Sequence, residues 1–123
     1  MTLIYLWFNA VLYLGLGAWC TLLPEKTSKA IGFGLTNASA KSEYVTVYGG
    51  MEVGMGIFFA VCALSPALRG PGLLYALILY ACLAVFRIGT LVTLENEGTF
   101  PKVMLCIEIP MALGALALYM KHG

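Results

Sequence analysis

The sequence predicts an all-α, polytopic membrane protein: an antiparallel bundle of four transmembrane helices, forming one domain over residues 1–123. Hydrophobic residues make up 61% of the chain and charged residues only 11%, against about 25% charged residues in a soluble domain. A soluble domain of this size also has too little interior to cover so much apolar surface. The apolar residues fall into four stretches separated by short polar segments. We therefore expect the lipid bilayer to be the solvent.

The first two stretches each have the length of a membrane span. Residues 2–23 contain no charge and end at Pro24, and about 20 apolar residues suffice to cross the hydrocarbon core. Residues 25–41 hold three lysines among Ser, Thr, Asn and Gly, which predicts a loop. A second helix is predicted over residues 42–64, where Ser65 and Pro66 close it.

The second half of the chain repeats this organisation. A tight connection is predicted through the Arg-Gly-Pro-Gly sequence at residues 69–72, followed by a third helix over residues 73–94. Residues 95–99 predict a polar turn, and Pro101 suits the first turn of a fourth helix over residues 102–120. Because the connections are short, successive helices are expected to be antiparallel neighbours.

Several classes of function are disfavoured by composition. The net charge of +1 provides no basic surface for nucleic acid. The four cysteines lie in apolar runs without a Cys-x-x-Cys pair, so we interpret them as small hydrophobic residues. The one histidine, His122, lies at the tail. We therefore predict no catalytic set, metal site or cofactor, and an enzyme acting on a lipid-soluble substrate ranks last among the hypotheses.

Three ionisable residues fall inside the hydrophobic stretches: Glu52, Arg87 and Glu108. Each would cost several kcal/mol if it faced lipid, so we expect all three to face the bundle interior. At a rise of about 1.5 Å per residue, Glu52 lies roughly 15 Å, Arg87 roughly 10 Å and Glu108 roughly 9 Å from the ends of their helices on one side of the membrane. Arg87 and Glu108 are predicted to pair, and Tyr48, one turn from Glu52, is a candidate hydroxyl donor.

The charge count gives this cluster two interpretations. Arg87 stays charged and can match one carboxylate, so the second would be an uncompensated buried charge that takes up a proton or holds a cation. A ligand-binding or proton-coupling site over Tyr48, Glu52, Arg87 and Glu108 is one interpretation. The other is a structural cluster that ties the helices together.

Glycines crowd around Glu52 in the second helix, and they are predicted to serve helix packing. They are Gly49, Gly50, Gly54 and Gly56. Gly50 and Gly54 form a small-xxx-small pattern, which lets a neighbouring backbone or a ligand approach closely.

The segment Tyr48-Gly49-Gly50-Met51-Glu52 resembles the second-helix signature of small bacterial membrane proteins of the DoxX-like superfamily. It is most similar to a branch described as a domain of unknown function. Arg87 and Glu108 match an Arg late in the third helix and a Glu early in the fourth. The resemblance implies a four-helix fold in the bacterial inner membrane. Some distant relatives use intramembrane carboxylates to hold a cation, a role that only Glu52 and Glu108 could play here.

The leading hypothesis is a protein that binds or transports a small amphipathic, hydrophobic or cationic molecule, coupled to a proton through the Glu/Arg/Glu site. The alternative is an accessory or oligomerising subunit, in which the charged cluster is structural and a glycine face docks on a homo-oligomer or on a membrane partner.

Overall fold

The computed structural model describes residues 1–94 and 98–122, and the regular elements in those ranges are all helical. The predicted all-α membrane fold is confirmed, because four helices are long and apolar enough to cross a membrane. These spans are Thr2–Leu22, Ala38–Leu64, Pro66–Thr93 and Phe100–His122. Large apolar side chains are exposed along them, as at Val92 and Phe86, which suits lipid rather than water. Within the polar turn predicted at residues 95–99, residues 95–97 lie outside the described residues.

The N-terminal unit covers residues 3–66. Its elements are α1 (Thr2–Leu22), α2 (Pro24–Ala30), α3 (Ala38–Tyr44), a π-helix (Val45–Met51) and α4 (Glu52–Leu64). The last three run on as one continuous span. Tyr13 of α1 stacks on Phe59 of α4 with ring centroids 5.9 Å apart, and Leu6 is buried. α1 and α4 therefore pack against each other as antiparallel neighbours.

Two sequence predictions in this unit were wrong in detail. The loop predicted over residues 25–41 contains α2, which has Pro24 at its start, Glu25 in its first turn and Lys29 in its last turn. That placement of proline and charge favours a helix even in a polar segment. The second span begins at Ala38 rather than at residue 42, because the Asn37 side chain accepts the Ala40 N–H at 2.8 Å and caps α3.

The C-terminal unit covers residues 1–2 and 67–123. A short 3₁₀ helix, Pro66–Leu68, leads into α5 (Arg69–Thr93), which packs antiparallel to α6 (Phe100–His122). The connection predicted at residues 69–72 is instead the first turn of α5. Pro71 is tolerated there because the first N–H groups of a helix have no intrahelical acceptor.

Candidate functional site

Arg87 on α5 and Glu108 on α6 form a two-point ion pair. Arg87 Nη2 donates to Glu108 Oε2 at 3.0 Å, and Arg87 Nε donates to Oε1. The Glu108 side chain is 3% exposed and the Arg87 side chain 23% exposed. Parallel N–H···O bonds between a guanidinium and a carboxylate are among the stronger hydrogen bonds in proteins. The contact predicted from matched depth is thus confirmed, whereas a role in ligand binding stays a prediction.

The Arg87–Glu108 ion pair has no net charge. Arg87 keeps its charge in any protein environment, and Glu108 places both carboxylate oxygens against it. The two charges cancel, so the pair joins α5 to α6 without leaving a net charge among the apolar side chains.

The first half of the glycine-rich motif, with Gly49 and Gly50, lies in a π-helix, Val45–Met51, and Gly54 and Gly56 lie in α4. π-Helices are rare and occur frequently at functional sites. Three β-branched residues, Val45 to Val47, and the pair Gly49-Gly50 are poor α-helix formers, so widening the helix here sacrifices little α-helical stability. This π-helix was not predicted from the sequence, although the run of weak helix formers is a signal that indicates it.

Glu52 is the first residue of α4, directly after the π-helix that carries Tyr48. The residue is half-buried, and its Oε2 atom is buried without a hydrogen-bond partner among the described residues. A buried carboxyl oxygen normally has such a partner. Glu52 belongs to the N-terminal unit, and Arg87 and Glu108 belong to the C-terminal unit. That Glu52 joins the Arg87–Glu108 pair stays a prediction.

The four predicted packing glycines fall into two groups. Gly49 and Gly56 are buried against α1: a Cβ at Gly56 would lie 2.8 Å from the Leu14 nitrogen, and Gly49 lies against Thr21. Gly50 and Gly54 are exposed, and a Cβ at either position would meet no described atom within 4 Å. The small-xxx-small pair therefore faces outward and is not covered by described residues.

Three aromatic rings meet where the second span begins. Tyr44 and Tyr48 stack with centroids 4.8 Å apart, and Phe33 lies nearly perpendicular to both. This aromatic cluster, Phe33, Tyr44 and Tyr48, lines an open cavity of about 380 Å³ together with Glu43. The Tyr44 hydroxyl donates to Thr27 Oγ1 of α2 at 2.9 Å, which holds α2 against the span. The sequence analysis did not foresee this cavity.

A family model, described as domain of unknown function DUF4345, matches residues 1–119. The chain belongs to the DUF4345 family. The match includes the whole π-helical motif, Glu52, and both members of the ion pair of this DUF4345 chain. Searches of curated proteins and of solved structures found no match.

Proposed function

We propose that the chain binds a small amphipathic cation within the membrane, with Glu52 as the residue that neutralises the charge of the ligand. One observation carries this proposal: Glu52 Oε2 is buried and accepts no hydrogen bond from the described residues. Ionisable side chains inside a membrane span are costly and mark binding or transport sites by default. A carboxyl that the chain itself leaves unmatched is suited to a ligand.

The state of Arg87 supports the assignment of the binding role to Glu52 rather than to Glu108. The Arg87 guanidinium donates two hydrogen bonds to the two carboxylate oxygens of Glu108. A cationic ligand at Glu108 would have to compete with that pair, whereas at Glu52 it would supply a charge that is missing. An isolated buried carboxylate is strongly unfavourable, so without a cation Glu52 holds a proton.

Proton exchange follows from the same chemistry. Binding of a cation favours the ionised carboxylate and releases the proton, and departure of the cation reverses the step. Binding and deprotonation of Glu52 are thereby linked, which is the property that a proton-coupled transporter needs.

The proposal is tested with two ions of similar shape and opposite charge, tetraphenylphosphonium and tetraphenylborate. Calorimetry on the protein in detergent micelles should detect binding of the cation and weaker binding of the anion. Glu52→Gln should weaken cation binding at least about tenfold, as expected for the loss of a close charge pair. Glu25→Gln is the matched control, because Glu25 is an exposed acid in α2. Equal affinity in the wild type and Glu52→Gln would reject the proposal.

A second candidate function is favoured by the outward-facing Gly50 and Gly54. Small residues four apart on a lipid-facing helix allow another transmembrane helix to pack closely, so the chain would be an oligomerising or accessory subunit. Gly50→Ile and Gly54→Ile should then lower the oligomer mass in native mass spectrometry, with Gly15→Ile as a control at another open position. A monomeric wild type without a bound membrane protein would rule this function out.

We also propose that this family is a branch of the DoxX-like superfamily and that the chain resides in the bacterial inner membrane. The Tyr48–Glu52 motif and the positions of Arg87 and Glu108 support the relationship. Fractionation of bacterial membranes that contain the tagged chain tests the location: it should separate with inner-membrane markers, and recovery in the outer-membrane fraction would contradict the proposal.

A further inference from the structure

The aromatic cluster and Glu43 form a second candidate site, which shares only Tyr48 with the residues predicted from the sequence. We infer that the cavity beside Phe33, Tyr44 and Tyr48 binds a quaternary ammonium headgroup, with Glu43 as its counter-charge. This inference goes beyond the proposed function and does not depend on Glu52, so either one can fail without the other.

The arrangement of rings is the first support. Tyr44 and Tyr48 are stacked with an interplanar angle of 20°, and Phe33 is inclined at 83° to Tyr44 and 79° to Tyr48. Rings in two nearly perpendicular planes therefore border one cavity. Aromatic rings attract cations through their quadrupoles, and several rings around one cavity are the usual recognition device for quaternary ammonium groups.

The charge around the cavity is the second support. Glu43 lines the cavity and has no ion pair in the described part of the chain. The nearest lysine in sequence, Lys41, is directed to Glu25 of α2, with Nζ 3.6 Å from the carboxylate. Glu43 therefore adds an unmatched negative charge beside the rings, where a cation would be attracted rather than repelled.

Few side chains that line the cavity can accept a hydrogen bond, which favours a cation without N–H donors. Apart from Glu43 and the tyrosines, the cavity is bordered by small or apolar residues: Gly32, Gly34, Leu35, Ala40 and Val47. A primary ammonium has three N–H donors to satisfy, whereas a trimethylammonium has none and places its methyl groups on apolar walls.

The position of the cavity agrees with this ligand class. It lies at the start of the Ala38–Leu64 span, next to the polar α2 segment, at the level where aromatic rings and lipid headgroups meet. A volume of about 380 Å³ is within the range of small-ligand sites. The headgroup could come from a choline lipid or from a free single-chain amphiphile, since both carry the same trimethylammonium.

Native mass spectrometry of the full chain in detergent separates these sources. The first arm compares phosphatidylcholine with phosphatidylethanolamine of identical acyl chains, which differ only in methylation of the ammonium. The second arm uses decyltrimethylammonium. Phe33→Leu and Glu43→Gln alter exposed side chains and should each weaken binding roughly two- to tenfold. Phe86→Leu alters an exposed ring on α5, outside the cavity, and should bind like the wild type.

Preference for phosphatidylcholine that is lost in Phe33→Leu and Glu43→Gln but kept in Glu52→Gln supports the inference and assigns the site to a lipid. Binding of decyltrimethylammonium alone, with the same dependence on Phe33 and Glu43, supports it with a free amphiphile as the source. Failure of both probes to bind overturns it, as does binding that is unchanged in Phe33→Leu and Glu43→Gln. Loss of phosphatidylcholine preference in Glu52→Gln would overturn the independence of the two sites.

Discussion

Arg87 and Glu108 meet across the α5–α6 interface through two hydrogen bonds, and Glu108 is almost completely buried there. Of the three ionisable residues that the sequence placed inside the spans, Arg87 and Glu108 neutralise each other, and Glu52 Oε2 has no hydrogen-bond partner among the described residues. A neutral pair can hold two helices together, whereas an unmatched carboxyl can exchange a proton for a cation. We propose that the structural interpretation applies to Arg87 and Glu108 and the ligand-binding interpretation to Glu52.

Breaking the Arg87–Glu108 pair should destabilise the protein severely. Arg87→Leu leaves the buried Glu108 carboxylate without a counter-charge. Removal of one member of a buried ion pair lowers the free energy of unfolding by about 3–5 kcal/mol. Arg87→Leu combined with Glu108→Leu should recover much of that loss, because no uncompensated charge remains. Thermal unfolding and yield after gel filtration in detergent measure both effects. A double variant no more stable than the worse single variant would contradict the pairing.

Substitution of Gly54 and of Gly56 in α4 by alanine should have opposite effects on the stability of the protein. Gly56→Ala should lower the unfolding temperature, because its Cβ would lie 2.6 Å from Leu14 Cγ and 2.8 Å from the Leu14 nitrogen. Gly54→Ala meets open space and should be neutral or stabilising by up to about 1 kcal/mol, since Ala is the better helix former. Circular dichroism during heating compares the two. Equal effects would contradict the close α1–α4 contact.

The hydrogen bond from Tyr44 to Thr27 should hold α2 in place. Tyr44→Phe and Thr27→Val should each cost about 1 kcal/mol, the usual contribution of such a bond. The double variant should cost clearly less than the sum, because both changes remove the same 2.9 Å contact. Unfolding free energies of the four proteins give the coupling. Strict additivity would show that the bond does not stabilise the protein.

The sequence predicted the four spans because each is an apolar stretch long enough to cross the bilayer. It predicted the Arg87–Glu108 contact because an unpaired charge in lipid is so costly that few positions of the two side chains are favourable. It did not predict α2 or the aromatic cluster. Those depend on a chain reversal at Gly32, whose φ of 90° lies in the left-handed region, and on contacts between Thr27 and Tyr44, 17 residues apart. Neither leaves a periodic pattern in the sequence. The outward direction of Gly50 and Gly54 likewise depends on helix rotation, which glycine spacing alone does not specify.

Infrared difference spectroscopy of the carboxyl groups, on addition of tetraphenylphosphonium near neutral pH, would show whether Glu52 exchanges a proton for a cation. If Glu52 exchanges a proton for the cation, the ligand-free protein has a protonated carboxyl band that vanishes when the cation binds and is absent from Glu52→Gln. Glu25→Gln, altered at an exposed acid, should retain both the band and its response. A spectrum without such a band, or a band that persists in Glu52→Gln or ignores the cation, would contradict cation binding at Glu52.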